Sequence, residues 1–227
     1  MSPRERTGVP AELRANPVIA VLRAPTAAGY APVIDALLTG GVRFVEVTLS
    51  TPGTIDQLPM LVRRFGDDAR IGVGTVTETS QAREAIAAGA RYLVTPTTDT
   101  RVIDVAVDAE VPVYPGGFTP TELHTGWRGG ATAVKVFPAS KLGPKYVADL
   151  RGPFPDIEVI PSGGVDAESA LDWLRAGACA VSAGGPLLRD AFDGGDLGEL
   201  TRRAHALQQS IVDAGLVARA DLGRTGA

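Results

Sequence analysis

The sequence contains few of the side chains that usually form disulfides or bind metal ions. Among 227 residues there are one cysteine, Cys179, and two histidines, His124 and His205. A single cysteine cannot form an intrachain disulfide, and it is typical of a protein in a reducing compartment. The histidines have no cysteine or carboxylate neighbours at metal-ligand spacing. We therefore expect no metal ion and no other cofactor.

Long apolar stretches and an excess of positive charge are also absent. No apolar run approaches the roughly 20 residues that cross a bilayer. The formal net charge of −4 gives no indication of a nucleic-acid partner. Residues 1–16 carry charges but no apolar segment of the kind found in secretory signals. We expect a cytoplasmic protein that binds neither a membrane nor nucleic acid.

Lysine is scarce, because the 22 lysines and arginines include only Lys135, Lys141 and Lys145. Lys135 lies within an apolar run, residues 133–139, which is typical of a buried strand. An ammonium group is costly in an apolar interior, and a buried lysine can become a neutral amine. A neutral amine attacks a carbonyl group and forms a Schiff base. Alternatively, the ammonium emerges at the rim of a barrel and is solvated, as we expect for Lys141 and Lys145.

Short apolar runs alternate with amphipathic helical patterns along the whole chain. Such alternation predicts a parallel sheet covered by helices. Eight repeats predict a single-domain (β/α)₈ TIM barrel over residues 17–214, preceded by an arm or short helix at 1–16 and followed by a loose tail at 215–227. A doubly wound open sheet is the alternative, but no Gly-x-Gly-x-x-Gly turn follows the first strand.

The boundaries of the predicted elements follow from the same patterns. The predicted strands cover residues 18–24, 44–50, 70–76, 92–97, 111–118, 133–139, 158–164 and 179–185. The predicted helices cover residues 26–40, 54–65, 79–88, 99–109, 119–128, 143–151, 166–176 and 196–214. In a barrel of this kind the active site lies at the carboxyl ends of the strands, which is where we look for reactive side chains.

Alternation along the second predicted strand points one carboxylate into the barrel. If the odd-numbered residues 45–49 face the helices, then Glu46, Thr48 and Ser50 face inward. The same parity points Lys135 and Phe137 inward from the sixth strand. Glu46 and Lys135 could form an ion pair that only stabilises the core. We favour a functional pair, because the catalytic face is where shifted pKa values are useful.

Other polar residues are predicted at the ends of the first, third and fourth strands. Two glycines precede Thr75, which suggests a close approach of the backbone and a hydroxyl offered to a ligand; a bend in the barrel wall is the alternative. Pro96 either forms a pocket wall or simply ends its strand. Arg23 could bind a carboxylate or a phosphate, or it could be an ordinary surface arginine.

Glycine pairs follow the last two predicted strands, at Gly163-Gly164 and Gly184-Gly185. Such pairs expose backbone N–H groups, and a helix that begins just beyond them adds the positive end of its dipole. Barrels often bind phosphate at this place, so we expect a phosphate site there. Ordinary tight turns are the alternative interpretation.

Several of these segments together carry a resemblance to a known family. From about Asn16 to about Asp213 the chain is similar to the 2-keto-3-deoxy-6-phosphogluconate (KDPG) aldolase family, which includes 4-hydroxy-2-oxoglutarate (KHG) and 2-keto-3-deoxy-6-phosphogalactonate aldolases. The segments that carry the resemblance are Gly40-Gly41-Val42-Arg43-Phe44-Val45-Glu46-Val47-Thr48-Leu49, Gly72-Val73-Gly74-Thr75-Val76, Val94-Thr95-Pro96, Val134-Lys135-Val136-Phe137-Pro138-Ala139 and Pro161-Ser162-Gly163-Gly164-Val165.

The resemblance implies a metal-free class I aldolase that is commonly a trimer. It implies that Lys135 forms the Schiff base and that Glu46 is the general acid and base. It also implies binding roles for further residues: a pyruvate pocket shaped by Thr75, Pro96 and Phe137, a substrate contact at Ser162, and phosphate-binding turns at Gly163, Gly164, Gly184 and Gly185.

The expected reaction is the cleavage of 2-keto-3-deoxy-6-phosphogluconate, or its galactonate epimer, to pyruvate and glyceraldehyde 3-phosphate by a homotrimer. One alternative within the family is an aldolase for 4-hydroxy-2-oxoglutarate or another non-phosphorylated 4-hydroxy-2-oxoacid. An alternative of another class is a barrel that binds or isomerises a phosphosugar and has no need of an imine at Lys135.

Two departures from the family pattern bear on the substrate. Where the phosphogluconate-type motif has arginine, this chain has Ser50, and the arginine that ends the first strand in galactonate-type members is matched by Arg23. We therefore include Ser50 and Arg23 among the expected substrate-binding residues. Pro186 replaces a serine that commonly follows the last glycine pair, and proline offers neither a hydroxyl nor an N–H.

Overall fold

A computed structural model describes residues 6–217. Residues 1–5 of the predicted arm at 1–16 and residues 218–227 of the predicted tail at 215–227 lie outside this range. All strand pairs in the described residues are parallel. The strands are β1 (Val18–Leu22), β2 (Phe44–Thr48), β3 (Arg70–Gly74), β4 (Leu93–Val94), β5 (Val113–Tyr114), β6 (Gly116–Gly117), β7 (Val134–Val136), β8 (Val159–Pro161) and β9 (Val181–Ala183). Every predicted strand therefore contains at least one strand of the structure.

The fifth predicted strand is divided in two by Pro115, which has no N–H to give to a neighbouring strand. The six-stranded sheet has the order β5-β4-β3-β2-β1-β9, and the three-stranded sheet has the order β6-β7-β8. Beyond β8, Ser162 forms a parallel bridge with Ser182 of β9. The first strand thus lies beside the last in a curled parallel sheet, without the reversal of strand order that marks a doubly wound sheet.

Helices connect the strands at nearly the predicted positions. The helices are α1 (Ala11–Ala15), α2 (Tyr30–Thr39), α3 (Thr54–Phe65), α4 (Thr79–Ala87), α5 (Thr100–Asp108), α6 (Pro120–Arg128), α7 (Lys145–Arg151), α8 (Ala167–Arg175), α9 (Gly185–Leu188) and α10 (Leu197–Asp213). Of these, α9 was not predicted, because its Gly-Gly-Pro start indicates a turn. No helix in residues 6–217 is long and apolar enough to cross a bilayer.

Local capping explains where several helices begin. The Asp99 side chain accepts a hydrogen bond from the Arg101 N–H at the start of α5. Thr119 and Glu122 form a reciprocal capping box at the start of α6. Such caps satisfy backbone N–H groups that have no partner within the helix, and each typically contributes about 1 kcal/mol. The helices therefore start directly after the strand-end loops that surround the carboxyl edge of the sheet.

The apolar side chains form two separate buried clusters, one on each face of the sheet. Val45 and Val47 belong to the larger cluster between the strands and the helices, as the predicted alternation requires. The smaller cluster fills the concave side and includes Phe44, Tyr92 and Tyr114. Leu13 of α1 is fully buried in this second cluster, so the short helix closes the amino-terminal side of the sheet. At the other end of the chain, Leu216 and Val217 still pack against the larger cluster.

We predict that Leu13→Ala lowers the free energy of unfolding by about 2–5 kcal/mol, because it leaves a cavity in a buried apolar cluster. The control is Met60→Ala, since Met60 is 37% exposed and its loss is expected to cost only about 0.5 kcal/mol. Denaturant unfolding at one fixed protein concentration measures both values. Equal effects of the two substitutions would show that α1 does not close the interior cluster.

Candidate active site

A cavity of about 610 Å³ opens at the carboxyl ends of the strands. This volume lies within the usual range for sites that bind small molecules. All but one of the predicted site residues line it. These residues are Arg23, Glu46, Thr75, Pro96, Lys135, Phe137, Ser162, Gly163, Gly164, Gly184 and Gly185. The structure thus brings together groups that come from seven different strands or strand ends.

Ser50 is the exception, because it is exposed and is not part of the cavity wall. Its hydroxyl donates to Thr48 Oγ1 at 3.1 Å. β2 ends at Thr48, and the chain turns there through a hydrogen bond from the Thr51 N–H to the Thr48 carbonyl oxygen at 3.0 Å. The predicted inward direction of Ser50 assumed that strand alternation continues, and the turn ends that alternation.

Glu46 lies at the bottom of the cavity with only 1% of its surface exposed. Its Oε2 atom has no hydrogen-bond partner among the described residues. Burial raises the pKa of this carboxyl group above its ordinary value, while the nearby positive charges of Lys135 and Arg23 lower it. Burial is the larger effect, so the protonated form of Glu46 is favoured more strongly than in an exposed glutamate.

Two glycines of β3 make room for the inward side chains. A Cβ at Gly74 would overlap the Glu46 carboxylate, and a Cβ at Gly72 would overlap the ring of Tyr92. The close approach predicted at these glycines is therefore made by side chains of the neighbouring strands. Thr75 follows with a φ of 61°, a value that is rare for a β-branched residue. This strained turn places Thr75 in the cavity wall.

Lys135 is the central residue of β7 and lies between Gly116 of β6 and Ile160 of β8. Only 7% of its surface is exposed. The Nζ atom is 5.0 Å from the centre of the Phe137 ring, which is within the range of a cation–π contact. Gly116 lets the backbone of residues 95–96 approach β6 closely, since a Cβ there would overlap the Thr95 and Pro96 carbonyl groups. The amine is therefore buried within the sheet and reaches the cavity.

The turn after β8 is held against the segment that follows β7. The Ser162 and Gly163 carbonyl oxygens accept hydrogen bonds from the N–H groups of Ala139 and Ser140, at 2.7 and 3.0 Å. Gly163 has a φ of 87° and Gly164 a φ of 78°, which glycine adopts without steric cost. These bonds fix the position of one glycine pair in the cavity wall.

The second glycine pair lies at the start of α9, and Gly185 is the first residue of that helix. Pro186 lines a neighbouring cavity of about 450 Å³, and it is not part of the wall that contains Lys135. The absence of a backbone N–H at Pro186 therefore removes no hydrogen-bond donor from the wall of the cavity that contains Lys135.

The cavity wall also contains residues that the sequence did not single out, among them Arg189, Phe192 and Asp193. They follow α9, in a stretch where neither strand alternation nor a family segment gives a signal. Arg189 has a φ of 49°, which is uncommon for a residue with a side chain. Within residues 6–217 no group of three or more histidine, cysteine or carboxylate side chains could hold a metal ion.

Comparison with known proteins gives the same family as the sequence motifs that contribute the cavity residues. The sequence model of the KDPG and KHG aldolase family matches residues 9–202. The chain belongs to this family. A curated member, the 2-dehydro-3-deoxy-6-phosphogalactonate aldolase of Escherichia coli K12, is 36% identical over 174 residues, which are 76% of this chain and 85% of that protein.

Two solved structures extend this similarity to the fold. A structure described as native KDPGal has a TM-score of 0.84 and 32% identity to this chain. The match covers 93% of this chain and 100% of the KDPGal chain. The KDPG aldolase of Legionella pneumophila, with pyruvate captured at low pH as a covalent carbinolamine intermediate, has a TM-score of 0.78 and 29% identity. That match covers 87% of this chain and 96% of the Legionella chain.

We predict that Glu46→Gln makes the protein more stable than the wild type at neutral pH. Because burial raises the pKa of Glu46 above its ordinary 4.5, the folded wild type loses stability as the pH rises from about 4.5 through the raised value. Glutamine does not titrate, so the difference in melting temperature should be smallest at or below pH 4.5 and should grow above it.

The matched control is Glu84→Gln, because Glu84 is exposed on α4. This variant should follow the wild type at every pH. A Glu46→Gln protein that is less stable than the wild type at neutral pH, or a difference that does not vary with pH, would contradict the dominance of burial.

Proposed function

We propose that this family member is a class I aldolase that cleaves 2-keto-3-deoxy-6-phosphogluconate, or its galactonate epimer, to pyruvate and glyceraldehyde 3-phosphate. The observation that carries the proposal is the burial of the Lys135 amine beside the Glu46 carboxyl group at the bottom of one cavity. An amine that attacks a ketone and a carboxyl group that moves protons are the two groups that this reaction requires.

The relatives support both halves of this assignment. The Escherichia coli relative is named as a phosphogalactonate aldolase, and the Legionella relative as a KDPG aldolase. The Legionella structure holds pyruvate as a carbinolamine, which is the adduct formed when an amine adds to a ketone. In this chain the proposed source of that amine is Lys135, since Lys141 and Lys145 are not in the cavity wall.

The first half of the proposed reaction forms the imine. The neutral amine of Lys135 adds to the C2 ketone and gives a carbinolamine. Glu46, directly or through a water molecule, gives a proton to the departing hydroxyl group, and water leaves. The resulting iminium ion carries a positive charge next to C3 and can accept the electron pair of the C3–C4 bond.

The second half breaks the carbon–carbon bond. Glu46, now a carboxylate, takes the proton from the C4 hydroxyl, the C3–C4 bond breaks, and glyceraldehyde 3-phosphate leaves. The bonding electrons form an enamine, which is protonated at C3 and hydrolysed to pyruvate and free Lys135. A carboxyl group with a raised pKa suits this cycle, because it must both give and take a proton near neutral pH.

The remaining cavity residues have proposed binding roles. Thr75, Pro96 and Phe137 would surround the pyruvate half of the substrate, because they line the same cavity as the amine and the Phe137 ring lies 5.0 Å from Nζ of Lys135. The glycine pairs at 163–164 and 184–185 would contact the phosphate, and Ser162 would lie beside the bound substrate. Arg23 is the proposed cation for an anionic end, while Ser50, outside the wall, is no longer part of the proposal.

We further propose that the strands close into an eight-stranded (β/α)₈ barrel that forms one domain over residues 17–214. The Ser162–Ser182 bridge on one side and the short interruption at Pro115 on the other are the junctions that support closure. By resemblance to the family we propose a homotrimer, and sedimentation analysis would test it.

We predict that incubation with pyruvate and borohydride adds one reduced pyruvate to Lys135. Lys135→Arg should give no adduct and should lose turnover by at least about 10⁴-fold, because arginine cannot supply a neutral amine. Lys141→Arg is the matched control, since Lys141 is exposed and its loss should change neither result. Intact mass followed by peptide mapping locates the adduct.

An adduct on another lysine, or substantial turnover by Lys135→Arg, would remove Lys135 from its role. No adduct on folded wild-type protein, with a known class I aldolase reacting in the same buffer, would favour a barrel that binds or isomerises a phosphosugar.

We predict that Glu46→Gln still forms the trapped pyruvate adduct slowly but lowers the rate of cleavage by about 10²–10⁴-fold, which is the usual contribution of a positioned acid and base. Single-turnover kinetics with the phosphorylated substrate separate the two steps. Glu84→Gln should behave as the wild type. A normal cleavage rate in Glu46→Gln would mean that another group transfers the proton.

A further inference from the structure

A second arginine, Arg189, lies on the rim of the cavity that contains Lys135. It is exposed, and within residues 6–217 its guanidinium group has no hydrogen bond or ion pair. Many other arginines of the chain are engaged with acceptors, for example Arg70, which donates to Glu12 at 2.7 and 2.8 Å. Arg189 therefore offers an uncommitted cation to the cavity.

The backbone of Arg189 is strained, with a φ of 49°. Its N–H donates to the Gly185 carbonyl oxygen at 2.8 Å, so the strained residue is directly bonded to the start of α9. A side chain disfavours this left-handed conformation, which glycine would adopt at no steric cost. An observed outlier of this kind at a cavity wall suggests that the side chain has a function there.

The chain on both sides of Arg189 is anchored, which keeps the strained residue in place. Arg203 of α10 donates to the carbonyl oxygens of Leu187 and Leu188, at 2.9 and 3.1 Å. On the other side, the Phe192 ring packs edge-on against Tyr30, with ring centres 6.2 Å apart. The backbone on both sides of Arg189 is therefore held by contacts behind the wall, and the side chain lies between this cavity and the neighbouring one that Pro186 lines.

Arg189 also differs in position from the other cation of the wall. Arg23 follows β1, whereas Arg189 follows α9, the short helix that begins at Gly185. Both are exposed, so the cavity wall has two cations that come from different strand ends.

We propose that Arg189 binds the terminal anionic group of the substrate, at the end remote from the carbonyl carbon that Lys135 attacks. This inference rests on the proposed function and adds a specificity-determining residue to it. Phosphate and carboxylate both present oxygens that match the planar guanidinium fork.

Asp193 lies in the same wall and opposes anion binding. Its carboxylate is outnumbered by the two guanidinium groups of Arg23 and Arg189, so these three groups leave the cavity wall with a net positive charge. Because the three groups are exposed, their effect on a ligand is screened by salt. Direct hydrogen bonding by Arg189, rather than the field of the rim alone, is therefore the basis of the proposal.

The test compares kcat/KM for three substrates that differ at the terminal position: phosphate in 2-keto-3-deoxy-6-phosphogluconate, carboxylate in 4-hydroxy-2-oxoglutarate, and a neutral hydroxyl in 2-keto-3-deoxygluconate. Arg189→Gln should lower the value for an anionic substrate by roughly 10- to 100-fold and leave the neutral one within about threefold. Arg189→Lys should recover part of the loss. Arg83→Gln, an exposed change on α4, is the matched control and should have no effect.

The pattern of loss identifies the anion. A loss confined to the phosphorylated substrate, or to the one with the carboxylate, supports the proposal and names the group, and a loss with both supports a general anion contact. Equal losses with all three substrates, or no loss, would overturn it. Trapping of pyruvate on Lys135 should be unchanged in Arg189→Gln, since pyruvate lacks the terminal group.

Two further measurements distinguish a failure of this proposal from a failure of the proposed function and from a folding defect. Calorimetric titrations with inorganic phosphate and with acetate need no turnover: weaker binding of either anion to Arg189→Gln than to the wild type supports the proposal, and equal binding of both anions overturns it even if no imine forms. Arg189→Gly relieves the positive φ, so it should melt no lower than the wild type while losing the same binding. A lower melting temperature would show that the side chain is structural.

Discussion

The constraint on which the site depends is the burial of one carboxyl group inside the sheet. Glu46 has no partner for one oxygen within residues 6–217, and the nearby charges of Lys135 and Arg23 oppose the effect of its desolvation. The absence of a side chain at Gly74 is a consequence, since a Cβ there would overlap the Glu46 carboxylate. The interior cluster beneath keeps this position away from the opposite end of the sheet.

Strand alternation was enough to predict that Glu46 and Lys135 face the same cavity, because both lie well inside regular parallel strands. The same rule was wrong for Ser50, which follows the last residue of β2 and lies in a turn. It gave no signal at all for Arg189. That residue follows a four-residue helix whose Gly-Gly-Pro sequence indicates a turn. The backbone around Arg189 is positioned by tertiary contacts with α10 and Tyr30.

The predicted strands were too long at their carboxyl ends, and the excess contains much of the site. Thr75, Pro96, Phe137 and Ser162 were all predicted within strands, but each lies one or two residues beyond the observed end. Thr75, Pro96 and Phe137 lie outside the named strands, whereas Ser162 still forms a parallel bridge with Ser182. All four line the cavity. The amino-acid composition of a segment indicates whether it is buried. Where its strand pairing ends depends on the curvature of the whole sheet.

Backbone strain is concentrated where the cavity wall is formed. In residues 6–217 three residues other than glycine have a positive φ, and two of them, Thr75 and Arg189, line the cavity. Conformations of this kind persist only where the surrounding structure compensates for their cost. For Thr75 the support is β3 and the glycines before it; for Arg189 it is the pair of carbonyl contacts from Arg203. Glycine at either position would remove the strain together with the side chain. Glu110, the third such residue, does not line the cavity, so the proposed ligand contacts of Thr75 and Arg189 rest on the strain together with their place in the cavity wall.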